Sequence, residues 1–210
     1  AWTGRAGMNG TLDGDLALEG PAAAPRARGD LDIRLLSHER PFASLRSGLV
    51  WGDGRLEVEG RYATLEGDSL AWDARLPLAL SLVPPEAGAP SALRMFEGAI
   101  DVRVRAAKFP LQALAPLLDP RAVSALEGTL DVDARLSGDQ RALAGSGRLE
   151  LSDGLVRLPG LGVTYQAIAL ASAFEGDRLV LRRAHLTSEK GRCDATGDIR
   201  FVSATRIEPR

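Results

Sequence analysis

Apolar and charged residues alternate with a period of two along several stretches of this chain. Within residues 130–136 every even position is apolar and every odd position is charged, and the same alternation occurs in residues 100–106 and 31–35. A period of two places the two sets of side chains on opposite faces of a β-strand. One apolar face and one polar face are typical of antiparallel sheets. The pattern therefore predicts an antiparallel sheet with a single apolar face.

Glycine-containing turn signals separate the alternating stretches. They occur at residues 52–54, 66–68, 152–154 and 175–177, and such clusters commonly connect neighbouring strands. Because these connections are short, consecutive strands are expected to pair as a meander. Further strands are predicted near residues 55–62, 65–74, 76–83, 155–158, 164–174, 178–186 and 193–201.

An internal repeat supports this repetitive architecture. Residues 9–33 align without a gap to residues 127–151, at an offset of 118 that places Gly10 on Gly128. Residues 96–106 resemble only the first half of this unit. Fixed-period self-similarity is typical of folds in which one supersecondary unit is reused, so the chain is expected to build one sheet from related hairpins.

One segment departs from the alternation, and one resembles a linker. Leucines at positions 111, 114, 117 and 118 follow a three-to-four spacing, which predicts a short amphipathic helix near residues 109–126 that Pro116 kinks or ends. This helix is expected to close one end of the sheet.

The proline-rich residues 84–95 are predicted as a linker. The predicted organisation is one sheet unit in residues 1–83 and a second in residues 96–210, continuous with the first.

Composition favours a thin structure and excludes several classes of protein. Aromatic residues make up 5% of the 210 residues, whereas there are 23 glycines, so leucine, valine and alanine must fill the apolar layer. A net charge of −2 gives no basic field for nucleic acid. No apolar run reaches the length of about 18 residues that a membrane-spanning helix needs.

The candidate chemistry is sparse. No Gly-Lys-Ser/Thr motif accompanies the glycines near residue 147, and a strand pattern rather than a helix follows them. The histidines, His38 and His185, have no partners at metal-ligand spacing, and a dyad of His185 with the single cysteine, Cys193, has little support. The sequence therefore predicts no catalytic residues, no metal site and no cofactor, and the protein is expected not to be an enzyme.

Residues 127–201 resemble the TamB family, within the wider AsmA-like group of envelope proteins. Residues 9–33 match this family in part, and residues 40–95 depart from it. The resemblance is carried by Gly138, Gly145, Gly147, Gly154, Leu158, Gly162, Tyr165, Ile168, Gly176, Asp177, Arg178, Leu179, Leu181, Gly191 and Gly197.

The resemblance implies a fold, a location and a set of partners. Members of the family are anchored in the inner membrane by an N-terminal helix and cross the Gram-negative periplasm. Their sheet curls into a trough with an apolar interior, called a β-taco, and they are linked to phospholipid movement and to outer-membrane protein assembly. This chain would be a middle section of such a trough, missing the anchor. Its expected partners are phospholipid, the rest of its own chain at both ends, and an outer-membrane β-barrel protein bound through regions not present here.

The fold class expected is thus mainly all-β: an elongated, curled antiparallel meander with an apolar interior and one short amphipathic helix. Interchangeable wall residues, rather than one tight site, are expected to contact lipid. These are Leu12, Leu16, Leu18, Leu31, Ile33, Leu76, Leu78, Leu80, Ile100, Val102, Val104, Leu130, Val132, Leu136, Leu149, Leu151, Ile168, Leu170, Leu179 and Leu181.

Three other interpretations remain open at this point. The same apolar residues could form a closed core that binds nothing. The sheet could be a structural or chaperone-like scaffold whose edges pair with unfolded outer-membrane strands. A closed β-helix, as in the stalk of a secreted adhesin, is disfavoured by the helical pattern after Phe109.

Overall fold

One large antiparallel sheet makes up most of this protein. A computed structural model describes residues 8–37, 39–83, 93–95, 97–203 and 206–209. Two short strands, β6 (Leu78–Leu80) and β7 (Leu93–Met95), pair only with each other. The large sheet contains β1 (Met8–Glu19), β2 (Arg26–Ser37), β3 (Arg40–Gly52), β4 (Arg55–Thr64), β5 (Ser69–Leu76), β8 (Ile100–Pro110), β9 (Ala125–Gly138), β10 (Leu143–Leu158), β11 (Val163–Gly176), β12 (Arg178–Ser188), β13 (Gly191–Ser203) and β14 (Arg206–Pro209).

The twelve strands of this sheet are arranged as an open, curled meander. Each strand pairs antiparallel with the next, except that β5 pairs with β8 across the β6–β7 excursion. The accessible surface of 13,657 Å² far exceeds the about 9,400 Å² expected for a compact monomer of this mass. Cα atoms of β10 and β13 come within 8 Å of each other although two strands separate them in the sheet. The sheet therefore curls. The predicted fold class, an elongated and curled meander sheet, is confirmed.

The registers of successive hairpins align the apolar positions into rows. Leu12 lies opposite Ile33, Ile33 lies opposite Leu45, and this pairing continues strand by strand across the sheet. Since paired residues share a face, the row is a largely apolar stripe, interrupted by Ser172 and Gly197. Its members are Leu12, Ile33, Leu45, Tyr62, Leu70, Ala106, Val132, Leu149, Ser172, Leu181 and Gly197.

The sequence repeat is also a repeat of structure. Leu12 pairs with Ile33 in the β1–β2 hairpin, and Leu130 pairs with Leu151 at the corresponding place in β9–β10. A Cβ atom added to Gly29 would lie 2.6 Å from the carbonyl oxygen of Asp15. The equivalent Gly147, at a φ of 106°, would place its Cβ against the carbonyl oxygen of Asp133. Glycine is therefore needed at this position in both hairpins because the facing backbone is too close for a side chain.

Three of the predicted strand boundaries were wrong. The signal at residues 152–154 is a β-bulge inside β10, which continues through residues 155–158, and Asp153 has a φ of 52°. A bulge and a turn use the same glycine and aspartate chemistry, which is why the signal was ambiguous. The strand predicted at residues 65–74 begins only at Ser69, after a turn closed by the Gly67 amide on the Thr64 carbonyl. The strand predicted at residues 76–83 is divided between the end of β5 and β6.

The predicted helix is shorter than expected and is a 3₁₀ helix, Leu111–Leu117. Residues 109 and 110 belong to β8, and β9 has already begun at residue 125. Pro116 lies inside the segment. Because proline has no amide hydrogen and its ring clashes with the preceding turn, a longer helix is not accommodated.

Residues 84–92 of the predicted linker lie outside the described residues, as does His38. Residues 93–95, the last part of that linker, form strand β7. The pairing of β5 with β8 joins the strands before and after this region into one sheet. The division into two sheet units remains a prediction.

The 3₁₀ helix covers one end of the apolar face. Phe109, Tyr62, Leu35 and Ala43 form a buried cluster beneath it, and the helix contributes Leu114 to the edge of this cluster. The Tyr62 hydroxyl donates a hydrogen bond of 2.6 Å to the carbonyl oxygen of Ala113. We call the 3₁₀ helix, Leu111–Leu117, the helix cover.

Burial raises the pKa of Tyr62 to about 12, because the phenolate form would lose its hydration. An unfolded chain releases this proton near pH 10, so the folded state holds it more tightly. The stabilising contribution of Tyr62 is therefore complete below about pH 10 and is lost as the pH rises from 10 to 12. Ultraviolet titrations of the wild type and of Tyr62→Phe should differ by one phenol that titrates near pH 12. A difference that titrates near pH 10 would contradict the burial of Tyr62.

Candidate functional site: an apolar trough

Two covers bound the apolar face, one at each end of the strands. The helix cover lies at one end. At the other end Leu78 of β6, Ile100 and Leu143 are buried. The Trp51 indole nitrogen Nε1 donates a hydrogen bond of 3.0 Å to the carbonyl oxygen of Leu78. We call β6, which lies against β4 and Trp51, the β6 cover. Each cover is thus attached to the sheet by the polar atom of an aromatic side chain.

Between the covers lie two rows of the apolar face that we call the open band. None of their side chains is buried; Gly145 alone is buried and has no side chain. Several members are glycine, alanine or serine, whose short or absent side chains leave space above the sheet. The first row is Leu31, Ser47, Gly60, Trp72, Val104, Ala134, Gly147, Phe174, Leu179 and Ile199. The second is Leu16, Gly29, Leu49, Val58, Ala74, Val102, Leu136, Gly145 and Gly176.

Two large aromatic rings in this band lie against a glycine of another strand. Trp72 pairs with Gly60, and a Cβ at Gly60 would overlap the indole ring. A Cβ at Gly145 would likewise overlap the ring of Phe174. Glycine therefore makes room for each ring on the backbone of the neighbouring strand, as in other sheets where an aromatic side chain covers a cross-strand glycine. The rings therefore add apolar surface to the floor of the band.

The structure places the predicted lipid-contacting residues on one face, apart from Leu78 and Leu80, which lie in β6. Leu78, Ile100 and Val132 are buried, whereas Leu12, Leu16 and Leu18 on β1 are exposed. The remainder are half-buried: Leu31, Ile33, Leu76, Leu80, Val102, Val104, Leu130, Leu136, Leu149, Leu151, Ile168, Leu170, Leu179 and Leu181.

Sequence reasoning missed several members of this face. Leu45, Leu49 and Trp51 lie on it in β3, but Ser47 interrupts their alternation. Trp72 and Phe174 were also missed. The available signal for these two was a glycine in the strand predicted to lie beside each aromatic residue.

The opposite face is charged and largely satisfies its own charges. Arg103 lies 3.0 Å from Asp133, and Arg135 lies 2.8 Å from Asp101. The hydrogen bond from Arg135 lowers the pKa of Asp101 below its usual value. A depression of about 580 Å³ on this face is lined by Asp32, Arg46 and other residues of both signs. Exposed ion pairs of this kind contribute little individually, and their mixed charge favours no one class of ligand.

In the part of the chain that the structure describes, the remaining reactive side chains do not assemble into a site. His185 Nδ1 lies 2.7 Å from the Asp194 carboxylate, on the charged face. Cys193 pairs with Leu186 on the opposite face, so the sheet separates it from His185. Among the residues that the structure describes, no group of three histidine, cysteine or acidic side chains could hold a metal ion.

Comparisons with protein-family models, curated proteins and solved structures found no match to this chain. Within the described residues, no helix has the length and apolar character needed to cross a membrane. The candidate site is therefore defined by its geometry alone. It is an open apolar band, bounded by two covers, on one face of a single-layer sheet.

Proposed function

We propose that this chain is a non-enzymatic segment of a periplasm-spanning protein whose apolar trough shields or conducts phospholipid acyl chains. The main support for this proposal is the open band, in which no side chain is buried. A sheet that served only as a closed core would bury these residues against a second layer. The chain keeps one layer and a large exposed surface instead.

The dimensions of the band suit a hydrocarbon chain. Neighbouring residues on one face of a strand lie about 7 Å apart, so two adjacent rows make a narrow apolar strip. The first row crosses nine strand spacings from β2 to β13, which corresponds to a contour of roughly 42–44 Å at the usual strand spacing. An acyl chain lying along this strip would be stabilised by about 0.8 kcal/mol for each CH₂ group removed from water.

The mostly small or aliphatic residues of the band favour movement along it. Apart from Ser47, Trp72 and Phe174, its members are aliphatic residues or glycine, for example Val104 and Ala134 on the neighbouring strands β8 and β9. An acyl chain that advances by one strand exchanges one set of aliphatic contacts for another, so no position retains it strongly. The charged headgroup can remain in water beside the covers. A trough of this kind transports lipid without a catalytic step.

The wider setting of the proposal follows the resemblance to the TamB family. The segment would act between the inner and outer membranes, in a protein anchored in the inner membrane, and would contribute to outer-membrane biogenesis. The trough would continue into the rest of the chain at both ends. The outer-membrane β-barrel partner would bind elsewhere in the protein.

A pair of photoreactive residues on β10 tests whether lipid enters the trough. Leu149 lies on the apolar face and its neighbour Glu150 lies on the charged face. A photoreactive amino acid at Leu149 should capture phospholipid from phosphatidylethanolamine–phosphatidylglycerol vesicles, because its side chain borders the open band. The same amino acid at Glu150 should capture little, and serves as the matched control. Mass spectrometry of the irradiated protein measures both adducts.

The result can also refute the proposal. Adducts at Leu149 that join only neighbouring protein side chains would indicate a closed core. Equal lipid capture at Leu149 and Glu150 would indicate general adhesion to vesicles rather than a trough.

A further inference from the structure

The open band crosses a sharply curled part of the sheet, strands β9 to β13. Each pairing from β9–β10 to β12–β13 contains a register shift, whereas β4 pairs with β3 and with β5 without one. β-Bulges and similar irregularities bend strands and increase their twist. Three strand spacings would separate β10 from β13 by about 14 Å in a flat sheet. Because their Cα atoms come within 8 Å, the sheet curls tightly over these strands.

Two phenylalanine rings meet on the apolar face of this curled part. Phe174 of β11 and Phe201 of β13 are stacked, with ring centroids 6.1 Å apart and an interplanar angle of 15°. Phe174 belongs to the first row of the open band, which continues on β13 as Ile199. Phe201 is two positions further along β13 and therefore lies on the same face. Strand β12 separates the two strands, so the ring contact passes over β12 on the apolar face.

The stack extends from β10 to β13. A Cβ atom at Gly145 of β10 would overlap the ring of Phe174, so this ring lies against β10 as well as against Phe201. The Phe201 amide donates a hydrogen bond of 2.7 Å to the Asp177 carbonyl oxygen, which fixes the backbone that carries the second ring. The two rings therefore reach across the apolar face of four consecutive strands.

On the other side of the stack, the open band is long enough for one acyl chain. From β2 to β9 the first row crosses five strand spacings, which corresponds to roughly 24 Å. Each leaflet contributes half of a bilayer hydrocarbon core of about 30 Å, so an acyl chain there spans about 15 Å. Trp72 is the aromatic member of the row in this part, and it lies against Gly60 rather than in the stack. A tail can therefore lie entirely between β2 and β9.

We propose that the stack of Phe174 and Phe201 is a constriction in the trough, which separates an acyl-chain compartment over β2–β9 from the curled part of the sheet. The inference rests on the proposed lipid function and adds where movement along the band is slowest. Stacked rings attract each other beyond the burial of their surfaces. A tail that advances past β9 therefore has to replace the ring contact by its own contacts. The constriction is a barrier and not a tight binding site, so it does not retain lipid elsewhere in the band.

Time-resolved photolabelling tests this proposal on the intact chain. The protein is mixed with vesicles of phospholipid that carries a photoreactive group at the end of one acyl chain, and is irradiated briefly after increasing delays. In the wild type, adducts at Leu179 of β12 should appear later than adducts at Val102 of β8. Replacement of Phe174 or of Phe201 by alanine should shorten this lag at least about threefold, because no ring contact has to be broken. Phe201→Leu, which keeps aliphatic packing, should shorten it too.

Trp72→Ala provides the matched control, because it removes a larger ring from the same band without touching the stack. Its lag should equal that of the wild type, and circular dichroism checks the fold of each variant. Simultaneous labelling of Leu179 and Val102 in the wild type would overturn the constriction and leave the lipid function standing. An unchanged lag in the phenylalanine variants would do the same, even if more Leu179 were labelled at every delay, since that would show greater local exposure only. An absence of adducts at both positions would refute the lipid function, and the constriction with it.

Discussion

Replacement of Phe109 by alanine should lower the free energy of unfolding by about 3–5 kcal/mol, the range typical of a large aromatic residue removed from a core. Phe109 is 0% exposed and is the largest fully buried side chain. Its ring meets that of Tyr62 edge to face, with centroids 6.0 Å apart. Most of the sheet is a single layer, so this cluster is a large part of the available core. Urea denaturation followed by circular dichroism measures the change.

An exposed leucine provides the control for this experiment. Leu161 is 70% exposed, and its replacement by alanine should change the stability by no more than about 0.5 kcal/mol. A loss below about 1 kcal/mol for Phe109→Ala would mean that the helix cover does not pack on the sheet in solution.

Replacement of Leu136 by arginine should reduce the binding of phospholipid at least tenfold. Leu136 lies in the open band, between Val102 and Gly145, and a guanidinium there would interrupt the apolar strip. Because Leu136 is only half-buried, the long side chain can turn its charge toward water, and the sheet should stay folded. Val132 is 7% exposed, so a cation at that position would test folding instead.

The adjacent position provides a matched control for Leu136→Arg. Ser137 is on the same strand but on the charged face, and Ser137→Arg adds the same charge. Lipid that co-purifies with each variant can be quantified by mass spectrometry, with circular dichroism to confirm the fold. Equal lipid content in the two variants would mean that the open band does not hold the acyl chains.

The alternation of apolar and charged residues was enough to predict the fold class. In β8 and β9 it assigns a face to nearly every residue, because each charged position falls between two apolar ones. The rows of the apolar face could not be predicted, since they depend on the register of every hairpin. The pairing of Gly29 with Leu16 is one such case, since it is set by a close backbone approach that only the structure reveals.

Other features could not be predicted because the same sequence signal is compatible with two different structures. The glycine and aspartate of residues 152–154 suit both a turn and a bulge, and the flanking residues do not distinguish them. The open band also could not be inferred, because leucine and valine occur both in closed cores and in open troughs. Leu136 and Val132 have the same pattern in sequence, but only Val132 is buried.

The most direct test of the trough uses phospholipid that carries a photoreactive group at the end of one acyl chain. After irradiation in vesicles, the modified residues are identified by tandem mass spectrometry, with a headgroup-labelled lipid for comparison. We expect the tail probe to modify residues of the open band, such as Val102, Leu136 and Leu179, and the headgroup probe to modify the band much less. Tail adducts distributed equally over both faces, or absent from the open band, would contradict the proposal that this sheet encloses acyl chains.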